Sequence, residues 1–81
     1  MNITFQQMLT LVAVIEQGSI QAGAQALNKT HPSVISALKK LEHELGFSLF
    51  NRSGYRSIPT SQGMVFYRRC KQVLGEVDDL E

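Results

Sequence analysis

Residues 31–46, HPSVISALKKLEHELG, with Thr30 in front, carry two faces that demand different surroundings. On a helical wheel of about 100° per residue, Val34, Leu38, Leu41 and Leu45 fall in one narrow sector. The opposite sector holds Pro32, Ser33, Ser36, Lys39, Lys40 and His43, with no acid among them. The leucine side must face a core, so the segment is an amphipathic helix with Thr30 as its N-cap. Pro32 sits in the first turn, where a missing N–H costs nothing. Just upstream, SIQAGAQAL spells a short helix capped by Ser19 and anchored by Ile20 and Leu27. Its Ala22, Gly23, Ala24 and Ala26 let a neighbouring helix come close. A turn, Asn28 to Thr30, joins the two. Two helices on a tight turn, the second offering a polar face, form the helix-turn-helix arrangement, whose second helix enters the major groove of DNA. That groove is about 12 Å wide and admits one helix.

The rest of the chain supplies what such a pair needs. Phe5, Met8, Val12 and Ile15 recur at helical spacing, Leu11 and Val14 widen the stripe, and Gly18 stops it. A first helix apolar on more than one side is expected to pack both on its own domain and on another element or subunit. After Gly46 the pattern changes to FSLF, a polar loop NRSGYR, and SIP. This reads as a two-stranded hairpin with Gly54 in its turn. Beside a recognition helix it would be a wing, from which Arg52 and Arg56 reach phosphates or the minor groove. From an N-cap at Thr60 or Ser61 a last helix runs to the end. Phe66, Cys70, Val73, Val77 and Leu80 step along it as a heptad seam, flanked by Met64, Tyr67 and Leu74. Part of that seam can cover the domain, but its C-terminal part outruns so small a core, so pairing with the same helix of a second subunit is expected. The predicted fold is mainly α: residues 1–59 as a winged helix-turn-helix of three helices and a short hairpin, and residues 60–81 as a linker and dimerisation helix.

Composition narrows the function. A chain of 81 residues, 43% hydrophobic, holds one small domain, since a chain this short buries only about 60% of its unfolded surface. Little room is left for a substrate pocket, and no acidic pair, nucleophile elbow or phosphate-cradling glycine loop appears. His31, His43 and Cys70 lack metal-ligand spacing, so neither an enzyme nor a metal site is expected. The net charge of +1 conceals an uneven distribution. All eight Lys and Arg lie between Lys29 and Lys71, where only Glu42 and Glu44 oppose them, a local net of +6. A basic middle of this kind suits a polyanion such as nucleic acid. Adjacent Lys39 and Lys40, on a face turned from the core, point to phosphate contact, and Lys29 joins them as a source of salt-dependent affinity. His43 reads as a solvated surface residue. The single cysteine, Cys70, excludes an internal disulfide and fits a reducing cytoplasm. The longest apolar run, LTLVAVI, is too short for a membrane span and no positively charged leader precedes it. A second reading is a helical protein-interaction module that uses the heptad helix and binds no nucleic acid.

Residues 5–74 resemble the N-terminal DNA-binding domain of the LysR-type transcriptional regulators. The resemblance rests on an ordered set of pieces: GS at 18 and 19 with the small-residue helix to Leu27, THPSV at 30–34, LKKLEHELG at 38–46, LFNR at 49–52 and TSQG at 60–63. It implies a winged helix-turn-helix, a linker helix that makes a homodimer, and a transcription factor acting on double-stranded DNA. Family members usually continue into a larger domain that senses a small-molecule effector, so a fragment of a longer protein, without a cofactor of its own, is expected. The family's groove-reading Gln corresponds to His31 and the following proline to Pro32. Further contacts fall at Ser33, Ile35, Ser36 and Lys39, with wing contacts at Arg52 and Arg56. This sequence departs from the family pattern at Ile35, where Ser is common, at Gly23, where Ala is usual, and at Pro59, where Leu often precedes the Thr.

Overall fold

The computed structural model describes the backbone of residues 2–51 and 57–79 and the side chains of residues 2–51 and 57–75. Four helices follow one another: α1 (Phe5–Gln17), α2 (Ile20–Leu27), α3 (His31–Leu45) and α4 (Ser61–Asp79). Each starts at a hydroxyl that takes up an otherwise unpaired backbone N–H. At α1 the arrangement is reciprocal: the Gln7 N–H donates to Thr4 Oγ1 at 3.1 Å and the Thr4 N–H donates to Gln7 Oε1 at 2.9 Å. This capping box is legible as T-x-x-Q in the chain. Ser19 Oγ accepts from the Ala22 N–H at 3.0 Å and Thr30 Oγ1 accepts from the Ser33 N–H at 3.3 Å. Of the two candidates for α4, Thr60 is the cap: its Oγ1 accepts from the Gly63 N–H at 2.9 Å while its hydroxyl donates to the Ser48 carbonyl at 2.7 Å. The turn between α2 and α3 passes through Asn28, which is left-handed at φ 59°. Asn tolerates that conformation better than any branched residue would.

The core is where the four caps aim the helices. Leu11, Val12 and Val14 of α1, Ala24 of α2, Val34, Leu38 and Leu41 of α3, Leu49, and Cys70 of α4 are buried together. The leucine stripe expected on α3 is therefore its inner face, with Leu45 half-buried at the margin. α1 is the helix on which α2, α3 and α4 all pack. The second apolar side read from the sequence is thus satisfied by another element of the same chain, α4. Thr10 is buried in this central helix with its hydroxyl donating to the Gln6 carbonyl at 2.7 Å, which removes the cost of an unpaired polar group. The α1–α2 crossing depends on Gly23. A Cβ there would lie 2.8 Å from Val14 Cγ2 and 2.9 Å from Val14 Cα, so the α1–α2 approach at this point leaves no room for a side chain.

Downstream of α3, the pairing among the described residues is a single antiparallel bridge, Phe50 to Pro59, rather than two regular strands. It is framed by the Asn51 N–H donating to the Ile58 carbonyl at 2.8 Å and the Thr60 N–H donating to the Leu49 carbonyl at 2.9 Å. Phe50 and Pro59 are thus a non-hydrogen-bonded pair. Proline has no N–H to give, and at this register none is required. Arg52, Gly54, Tyr55 and Arg56 lie outside the described residues. The bridge and the start of α4 are locked to each other at Gly63, where a Cβ would run into the Leu49 carbonyl oxygen and crowd Thr60 Oγ1 at 3.1 Å.

α4 divides the predicted seam. Cys70 is 1% exposed and belongs to the domain's own core, and Phe66, Tyr67 and Leu74 pack against that core. Val73, by contrast, is 43% exposed, and Val65, off the seam, is 56% exposed. Cys70 is therefore not on the outward face assigned to a partner helix: the seam's first part is consumed by α1. Leu80 and the side chain of Val77 lie outside the described residues. Burial also pushes the Cys70 thiol up to about 11, which leaves it protonated and unreactive at neutral pH.

Candidate nucleic-acid interface

α3 presents its polar sector to solvent along its whole length. His31, Pro32, Ser33, Ser36, Lys39, Lys40 and His43 are all exposed, and Ile35 is half-buried beside them. The helix starts with its Thr30 cap on the surface and no acid in its first turn, a combination that favours an approaching anion. The two acids of this helix each accept a backbone N–H. Glu42 Oε2 accepts from the Leu49 N–H at 2.7 Å, fastening the segment that leads to the Phe50–Pro59 bridge. Glu44 Oε2 accepts from the Asn2 N–H at 3.1 Å. Glu44 is exposed and shares a groove with Lys39, Lys40 and His43, so the acid-free part of the polar sector is its N-terminal part, residues 31–40.

The basic segment does not lie on one face. Lys71 of α4 pairs with Glu16 of α1, Nζ to Oε2 at 3.0 Å, and the Tyr67 hydroxyl donates to the same oxygen at 2.8 Å. The hydrogen bond from Lys71 and then that from Tyr67 hold the Glu16 carboxyl below its ordinary value. Arg69 lines an apolar groove between the end of α3 and α4, with Leu45, Phe47, Val65 and Phe66. Among the described residues, the cations on the polar sector of α3 or in the turn before it are Lys29, Lys39 and Lys40. Lys29 Nζ donates to Gln6 Oε1 at 3.2 Å, so the turn between α2 and α3 is tied to the first turn of α1. A polar groove runs along that junction, lined by Gln6 and Gln7 of α1, by Ser33, Ser36 and Lys40 of α3, and by Lys29. Gln6 and Gln7 were not among the residues that sequence patterning selects. They lie off the apolar stripe of α1, and only the packing of α1 against α3 places them next to residues 33–40. Among the described residues no group of three or more His, Cys, Asp or Glu is placed to hold a metal ion, and no helix is long and apolar enough to cross a membrane.

This arrangement has known counterparts. Residues 5–64 match the family model for "Bacterial regulatory helix-turn-helix protein, lysR family". The chain belongs to the LysR family. Among its LysR relatives, the HTH-type transcriptional regulator AceR of Acinetobacter baumannii is 37% identical over 78 residues, covering 96% of this chain and 26% of the relative. CbbR of Rhizobium meliloti, also an HTH-type transcriptional regulator, is 32% identical over 99% of this chain and 26% of its own length. The chain thus spans about a quarter of the curated relatives it matches. The fold is shared with the BenM_DBD/benA site 1 DNA complex at a TM-score of 0.90 and 28% identity, over 95% of this chain and 86% of that one. The CbnR_DBD–DNA complex gives 0.88 and 28%, over 94% and 87%. The four-helix, mainly α architecture is therefore that of LysR DNA-binding domains.

Proposed function

We propose that this chain binds double-stranded DNA sequence-specifically, as the DNA-binding part of a homodimeric LysR-type transcriptional regulator in the bacterial cytoplasm. The observation that carries the reading is the exposed N-terminal part of α3, where residues 31–40 include no acid and the Thr30-capped helix start lies at the surface. His31, Ser33 and Ser36 read base edges or adjacent phosphates from the first turns of α3, the part of a recognition helix that reaches furthest into the groove. Ile35 offers only an apolar contact, suited to a thymine methyl. Pro32 keeps the first turn compact, and Thr30 holds a phosphate near the helix N-terminus. Lys29, Lys39 and Lys40 supply the salt-dependent part of the affinity, joined by Arg52 and Arg56 from a wing built on the Phe50–Pro59 bridge.

A second copy docks through α4. Val73, exposed at 43%, and the apolar groove beside Val65 and Phe66 support this, with Val77 and Leu80 continuing the seam. A small-molecule effector would act outside these 81 residues. The test is selection from a pool of random duplexes at near-physiological salt. An enriched site with two half-sites related by dyad symmetry is expected, and recovery of no enriched sequence would remove α3 as an autonomous reader.

A further inference from the structure

We propose that the DNA footprint extends onto the first turn of α1, where Gln6 and Gln7 complete with Lys29 and Lys40 a notch for one phosphodiester of the duplex that α3 reads. The inference rests on the DNA-binding reading above and adds contacts outside the helix-turn-helix. The groove between α1 and α3 is lined by two ammonium groups, Lys29 and Lys40, and by hydroxyl and amide groups, with no carboxylate among its lining residues. The two amides are already oriented. Gln6 Oε1 accepts from Lys29 Nζ at 3.2 Å and Gln7 Oε1 accepts from the Thr4 N–H at 2.9 Å. A side-chain amide has one acceptor oxygen and two N–H donors. Each oxygen already accepts one hydrogen bond inside the protein, and the NH2 donors of both residues, set beside two cations, suit an anion.

The identity of that anion follows from the neighbouring helix. Ser33, Ser36 and Lys40 stand at i, i+3 and i+7 on α3, one stripe of its exposed face, and they form the other wall of the notch. An α-helix with its side chains is about 10–12 Å across and the major groove about 12 Å wide. A helix seated in that groove brings whatever flanks it against the phosphate walls. On this flank the wall meets α1. The Lys29–Gln6 hydrogen bond also restrains a long side chain before DNA arrives, which lowers the entropy lost on binding.

The experiment compares the wild-type chain with Gln6→Ala, Gln6→Glu and Lys40→Ala on a duplex recovered by the selection described above, across a series of salt concentrations. Circular dichroism and melting serve as the fold control, since Gln6 is exposed. Gln6→Glu should weaken binding at least about tenfold at near-physiological salt and make log K against log salt shallower by about 0.9, one phosphate's worth. Gln6→Ala, which removes a neutral donor, should weaken binding a few-fold with little change of slope. A single uncharged methylphosphonate walked along each strand should then find one linkage that costs the wild type affinity and costs Gln6→Glu none. If Lys40→Ala weakens binding while Gln6→Glu keeps wild-type affinity and slope, the footprint stops at the helix-turn-helix and the proposal is wrong. If the wild type itself shows no salt-dependent binding to any duplex, the DNA-binding reading falls and the notch falls with it.

Discussion

Thr60 and Gly63 show how much one or two residues decide here. Thr60 donates to Ser48 and accepts from Gly63, and Gly63 leaves room for the Leu49 carbonyl that any Cβ would strike. TSQG is thus a joint between the bridge and α4. Gly63→Ala should destabilise the domain by about 1–3 kcal/mol, the usual cost of overpacking a tight site, because the obstacle is backbone and cannot swing aside. Denaturant unfolding checks this, and a midpoint equal to the wild type would mean that α4 can shift freely. At the interface the effect of a residue is electrostatic. Lys40→Ala should flatten the salt dependence of DNA binding by about 0.9 in log K against log salt while leaving sequence preference intact. An unchanged slope would take Lys40 off the phosphate list.

Between elements, a pH-sensitive contact joins the last turn of α1 to α4. Glu16 receives Lys71 and Tyr67 together, and its carboxyl is held below its ordinary value of 4.5. A carboxylate depressed in the folded state stabilises above its unfolded pKa and loses that contribution as pH falls through its folded pKa. Tyr67 is raised by the same hydrogen bond, so its share persists across neutral pH and fades only on the alkaline side of 10.0. Glu16→Gln should therefore melt below the wild type at pH 7, and the gap should close as pH falls below 4.5. The groups are well exposed, so solvent screening holds the effect to about 0.2–1 kcal/mol. A gap that stayed constant down to pH 3 would show that packing, and not ionisation, couples α4 to α1.

For the whole molecule, the question is what the outward side of α4 meets. Cys70 is buried in the domain's own core, so a partner helix would be met by Val73 and the groove that Val65 and Phe66 line. Val73→Asp should leave helicity unchanged, shift the chain toward monomer in sedimentation equilibrium, and lose more affinity for a two-half-site duplex than for a single half-site. A variant that sediments as the wild type does would move the dimer contact elsewhere. Salt separates this reading from a protein-interaction module. Binding through several phosphates falls by orders of magnitude when salt is raised moderately, whereas docking of apolar helix faces does not.

Local chemistry made much of this domain legible in the chain. Hydroxyl caps, glycine stops and the spacing of Val34, Leu38 and Leu41 depend on residues three or four apart, so the limits of α2 and α3 and the exposed reading face could be stated before any packing was known. The resemblance carried by THPSV, LFNR and TSQG supplied the family. Contacts between residues distant in the chain could not be read this way. A heptad count cannot say whether a helix faces its own core or a partner, and burial of Cys70 under α1 answered that for part of the seam. No periodicity pairs residue 6 with residue 29, or Glu42 with the Leu49 backbone. The first arises because α1 packs closely on α2 and α3, helped by Gly23, and the second because the chain turns at the left-handed Gly46 and brings Leu49 back to Glu42.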